Sequence, residues 1–145
     1  MTFIDDINAL KIRLENYAGL LDFIRSTFPG KNLTVMKTVR DRVEIQPGDC
    51  PLIMMTRPTI QRIRQGNAFN LENSVFLYAG IFEPDRTKAL DELIQMEELC
   101  EEAMLSKTEI QGDKGMVVVP GDSVMDEGMF HPVYFVVKHF TVKER

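Results

Sequence analysis

The residues in this chain that could carry covalent or metal chemistry are few and scattered. There are two cysteines, Cys50 and Cys100, and two histidines, His131 and His139. A Cys–His dyad needs an imidazole beside the thiol. Cys50 with either histidine is the pairing on offer, and no flanking motif supports it. The cysteines are far apart and have no CxxC spacing, which argues against a disulfide framework or a zinc site. They read as reduced thiols made in a reducing cytoplasm, Cys100 as a small core residue. No serine sits in GxSxG, and no Gly-rich loop precedes a helix as phosphate binding requires. Asp91, Glu92, Glu97, Glu98, Glu101 and Glu102 crowd one segment. Without the ExxH pattern of di-metal carboxylate bundles they read as a solvated helix face. Asp122, Asp126 and Glu127 lack calcium-loop spacing and read as a solvated loop. There is no Trp, and the aromatics do not interleave with basic residues, so a stacking platform for single strands is not indicated. No catalytic, cofactor-binding or metal-binding residue is expected.

Composition narrows the class further. A chain of 145 residues with 44% hydrophobic and 27% charged content fits one globular domain. At that length a chain buries roughly 70% of its unfolded surface, so no staple is needed. No apolar run approaches the ~20 residues of a membrane helix. The opening Met1-Thr2-Phe3-Ile4-Asp5-Asp6 is acidic where a signal peptide is basic. The net charge is −5, with no Lys/Arg run. Proteins that grip nucleic acid neutralise phosphates with clustered cations, so this balance argues against a grip on DNA. An acidic surface still suits DNA that must slide past.

The elements that must position any site follow from periodicity. Phe3, Ile7, Leu10, Leu14, Tyr17, Leu21, Ile24 and Phe28 alternate steps of four and three, which predicts one amphipathic helix with Thr2 as its N-cap, stopped by Pro29-Gly30. Lys11, Arg13, Glu15, Asn16 and Arg25 fall on its wet side. Residues 33–46 read as one or two strands, and Gln46-Pro47-Gly48-Asp49 as a turn. Pro51–Arg57 is a short apolar strand, and Ser74–Glu83 a stronger one, apolar on both faces and hence central. A helix follows over residues 85–105, with Ala89, Leu90, Leu93, Met96, Cys100, Ala103 and Met104 inward. Met116–Val119 is a strand, Pro120-Gly121-Asp122 a turn, Ser123–Phe130 a polar loop, and Pro132–Val142 a long closing strand. The fold expected is one α+β domain over residues 1–145, a mostly antiparallel sheet with two main helices packed against it.

Residues 57–74 stand apart. Arg57, Arg62 and Arg64 sit among Gln61, Gln65, Asn67, Asn70 and Asn73, punctuated by Ile60, Ile63, Phe69 and Leu71. This reads as a long loop or hairpin that projects from the domain. Loops beyond ~12–15 residues usually bind something or move. Local basicity in an acidic protein suits docking onto an acidic protein surface.

With these elements in place, the layout resembles the tail terminator (tail completion) proteins of long-tailed bacteriophages. The resemblance rests on the opening helix, on Asp49-Cys50-Pro51-Leu52-Ile53 leading into a strand, and on the strand Val75–Phe82 running into the acidic helix 85–105. A Gly-Met loop and the closing strand His131-Pro132-Val133-Tyr134-Phe135-Val136-Val137 complete it. It implies a virion protein without enzymatic activity or cofactor. Copies would form a six-fold ring at the head-proximal end of the tail tube, ending its polymerisation and joining tail to neck. Its partners would be itself, the tail tube protein and neck or head-completion proteins, with DNA passing through the lumen. Loop position and chemistry single out Arg57, Arg62, Arg64, Asn67 and Phe69 as contact residues, with Met125, Asp126 and Met129 as a second group whose methionines can repack on a partner. The competing readings are another head–tail joining protein, a cytoplasmic module that binds a small ligand or peptide at an open sheet edge, and an enzyme of unrecognised type.

Overall fold

The computed structural model describes residues 3–38, 41–56, 60–65, 68–106 and 117–143. Helices α1 (Phe3–Asn16) and α2 (Ala18–Thr27) come first, followed by β1 (Thr34–Met36) and β2 (Leu52–Thr56). Then come β3 (Ile60–Gln65), β4 (Ala68–Phe82), α3 (Arg86–Leu105), β5 (Val117–Met125) and β6 (Val133–Lys143). The strands form one sheet in the order β1-β2-β4-β6-β5, with β3 paired to the far part of β4. Among the described residues only β1 and β2 pair in parallel. The α+β class and the mostly antiparallel sheet are as the sequence indicated, with three helices where two were expected.

The extra helix comes from a break at Tyr17, whose backbone is extended (φ −74°, ψ 112°). The Asn16 side chain donates to the Ile12 carbonyl at 2.8 Å, competing with the helical ladder at its end. Gly19 then makes room for the Tyr17 ring beside the break, since a Cβ there would lie 3.1 Å from that ring. The break shifts the phase of the stripe. Ile7, Leu10 and Leu14 are buried in α1, but in α2 it is Leu20 and Ile24 that are buried while Leu21 is half-exposed. Arg13, assigned to the wet side, is 1% exposed and donates to the Met104 carbonyl at 2.6 Å.

The strand expectations hold best where both faces are covered. β4 is interior, as its two-sided apolarity required, and it extends well beyond Ser74 toward residue 68. Among the described residues of 33–46 only Thr34–Met36 form a strand. The rest includes a 3-10 turn, Arg42–Glu44, ahead of a second at Pro47–Asp49. There the Gln46 amide donates to Asp49 Oδ2 at 2.8 Å. Ile45 is buried while Val43 is 69% exposed, so the β-forming residues here pack without a ladder. Pro120-Gly121-Asp122 is a bulge rather than a turn: the register with β6 shifts between Pro120 and Ser123, and pairing resumes through Met125. In α3 the inward face is as expected except for Leu90, which is exposed. Asp85 caps the helix, accepting from the Thr87 amide at 3.0 Å.

All three helices lie on one face of the sheet, against Ile53 and Met55 of β2, Val75, Leu77, Ala79 and Ile81 of β4, and Val136 and Phe140 of β6. A smaller core sits on the opposite face at one end only, where Ile45, Cys50, Leu52, Met54, Val133 and Phe135 meet. Among the described residues no helix is long and apolar enough to cross a membrane.

Candidate functional site

The groups able to do covalent chemistry are separated and committed to packing. Cys50 borders a cavity of about 260 Å³ lined by Thr27, Phe28, Pro29, Lys31, Phe82, Glu83 and Pro84, and neither histidine lines it. Burial, aided by Asp49, pushes the Cys50 thiol up to about 12, and burial with Glu97 does the same for Cys100. Neither thiol carries appreciable thiolate near neutrality, so neither is a poised nucleophile. A ring nitrogen of His131 lies 2.6 Å from the Tyr134 hydroxyl. His139 sits edge-on to Phe76 at 5.2 Å, beneath Gly121 of the bulge. Among the described residues no three His, Cys, Asp or Glu side chains come together as a metal site.

The acidic residues of α3 are less solvated than a free face would be. Lys138 of β6 lies under the helix and pairs with Glu97 at 3.4 Å and Glu101 at 3.3 Å, its own side chain only 12% exposed. Glu102 accepts from the Tyr17 hydroxyl at 3.0 Å. Glu92 is half-buried, and desolvation together with its hydrogen bond to Glu83 raises its pKa to about 7. Helical spacing alone does not show these partners, because Lys138 and Tyr17 come from distant elements and Glu83 from the turn before the helix. A folded-state pKa above the unfolded value means that the native state holds this proton more tightly. Its stabilising contribution is therefore present below the unfolded pKa near 4.5 and is lost as pH rises through about 7. Glu92→Gln is accordingly expected to raise the thermal midpoint relative to wild type by more at pH 8 than at pH 5, read by circular dichroism melts at both values.

The residues singled out for partner contact fall at two ends of the sheet. Arg57 and Asn67 lie outside the described residues. Arg62 and Arg64 are in β3, opposite Leu71 and Phe69 of β4, so the projecting segment is a β-hairpin over these positions. β6 pairs with β4 only from Glu72 onward, and among the described residues positions 68–71 are paired to β3 alone. The hairpin therefore overhangs the rest of the sheet. The second group is elsewhere. Met125 ends β5 opposite Val136, which is itself opposite Ala79. Phe69 and Ala79 are ten residues apart on one strand, or about 34 Å along it. Met125 packs partly on the helix-side core. The Asp126 carboxylate accepts from the amides of Gly128 at 2.7 Å and Phe135 at 2.5 Å, fixing the loop that follows. Met129, on that loop, is 84% exposed.

One surface was not visible in the sequence. On the sheet face opposite the helices, the register sets Met54, Tyr78, Val137 and Val124 side by side across four strands, with Phe76 and His139 in the next row. The smaller core covers this face only at the end near Phe135. Farther along, Phe76, Tyr78, Val137 and His139 are half-exposed and Val124 is 70% exposed. The two-sided apolarity of β4 and the long closing strand were legible, but which face the helices would leave open was not.

No protein-family model and no curated protein matches the sequence. In fold the chain is similar to a chain of a solved structure described as the virion of a native gene transfer agent (GTA) particle, with a TM-score of 0.62 and 9% identity over 94% of this chain and 91% of that one.

Proposed function

We propose that this protein is a structural, non-enzymatic component of a phage-like virion, and that it forms the ring that ends the tail tube and joins it to the neck. The observation that carries the virion reading is the likeness in fold, over nearly the whole of both chains, to a chain of a gene transfer agent virion. The placement of the contact residues supports the finer reading. A ring between a tube and a neck needs separate contact regions for its own copies and for what it joins, and here the overhanging hairpin and the 126–132 loop stand at opposite ends of one sheet. Copies associate head to tail, and a rotation that closes gives a ring, six-fold by the tail-terminator resemblance. Arg57, Arg62, Arg64, Asn67 and Phe69 serve one contact. Met125 at the end of β5 and Met129 on the loop held in shape by Asp126 serve the other. The net charge of −5 suits a lumen that passes DNA without holding it.

The test is electron microscopy of the purified protein, alone and mixed with tail tubes from the same source. Rings, or caps at one end of each tube, are the expected result. Particles that never engage a tube but bind portal-proximal proteins would instead assign it to the neck. In the same assay Arg62→Glu/Arg64→Glu is expected to lose caps while keeping the wild-type circular dichroism spectrum.

A further inference from the structure

We infer that the open face of the sheet is the seat for a second copy of this chain, and that the copy docks there through its β3–β4 hairpin. Ring closure by this contact rests on the reading above; the contact itself rests on three features of the molecule. The first is charge depletion. Along β2, along β4 from Ser74 to Phe82, and along β6 from Val133 to Thr141, the alternate positions that share the face of Tyr78 and Val137 include no Asp, Glu, Lys or Arg. In a chain that is 27% charged, a half-exposed face of Phe76, Tyr78, Val137, Val119 and Val124 has the composition of an interface centre rather than of a wet surface.

The second feature is the shape of the arm. The hairpin overhangs the sheet past the end of its pairing with β6, so it extends away from the domain's own core while carrying Ile60, Ile63, Phe69 and Leu71. These apolar residues match an uncharged seat. The third is charge complementarity at the rim. Asp122 is exposed on the bulge of β5, next to Gly121, which lies against His139. Arg62 and Arg64, on β3 of the arm, supply the opposite charge. Arm and seat are different surfaces of one chain, so the contact is heterologous and leaves every docked copy with one of each to offer.

Sedimentation velocity of the full chain over a concentration series tests this. Val124→Asp places a charge in the seat at a position exposed enough to leave the fold alone, and it is expected to weaken self-association by about 10-fold or more. Arg62→Glu/Arg64→Glu is expected to weaken it comparably, and Asp122→Lys added to that variant to restore it in part. The decisive sample is the mixture. Val124→Asp copies keep their arm and Arg62→Glu/Arg64→Glu copies keep their seat, so together they should form dimers that grow no further. A mixture that stays monomeric while wild type associates overturns the inference, as does self-association unchanged in Val124→Asp, or a wild type that is monomeric throughout. Capping of tubes by wild type and Val124→Asp alike would also overturn it while leaving the ring function standing. Failure of wild type to engage tubes would count against the ring function alone.

Discussion

Arg13→Ala is expected to cost about 2–4 kcal/mol of folding stability, from a charged hydrogen bond worth about 1.5–3 kcal/mol together with the buried packing of the side chain. The side chain is 1% exposed, and its guanidinium donates to the Met104 carbonyl at 2.6 Å. That carbonyl belongs to the last turn of α3 (Arg86–Leu105), where helical acceptors lack intrahelical partners and a cation is favoured by the helix dipole. Arg13 thus ties α1 to the end of α3. Its removal leaves a buried acceptor and a cavity together. Urea unfolding followed by circular dichroism measures the loss. Arg13→Lys should fall between wild type and Ala, because an ammonium keeps the charge but not the fork geometry. A change below about 1 kcal/mol for Arg13→Ala would place the residue among ordinary surface substitutions and remove this tie from the account.

Gly80→Val is the second large effect, expected to cost about 2–3 kcal/mol through overpacking. Gly80 of β4 pairs directly with Phe135 of β6 and with Leu52 of β2. A Cβ at position 80 would lie 2.8 Å from Cε1 and 3.1 Å from Cδ1 of the Phe135 ring. The ring has no exit: it is fully buried and stacked edge-on against Phe130 at 5.9 Å. Consequences should reach the loop, because the Phe135 amide is one of the two that hold Asp126. Gly80→Val is therefore expected to weaken contacts made through Met129 as well as global stability. Combining it with Phe135→Leu should give a loss smaller than the sum of the two single changes, since the shorter side chain vacates the space the valine needs. Additive losses would show that ring and glycine are not coupled.

Several elements were legible in the residues because their environments are uniform along their length. β4 from Val75 to Phe82 is apolar on both faces and lies between two strands. α3 presents Ala89, Leu93, Met96 and Cys100 at helical spacing and buries all four. The closing strand spans Val133–Lys143, close to its expected bounds. Where local pattern and tertiary demand diverged, the sequence misled. The unbroken 3–4 stripe from Phe3 to Phe28 is also compatible with two helices offset at Tyr17, and periodicity cannot register a one-residue break. Arg13 read as solvated because its acceptor lies 91 residues away. Pro120-Gly121-Asp122 has turn composition, yet an edge strand accommodates the same residues as a bulge.

What the sequence determined by itself is therefore the class of the fold, the identity of its interior strands and the absence of a recognisable catalytic motif, all of which depend on residue type and spacing within a single element. Only the tertiary structure decided that the Arg-rich hairpin and the methionine loop stand at opposite ends of the sheet, that Lys138 lies beneath the acids of α3, and that among the described residues the face from Val137 to Val124 is not covered by the helices or the smaller core. Each of these depends on strand order and register. Those are set by which apolar faces find one another across the whole chain, and no local window of residues contains that information.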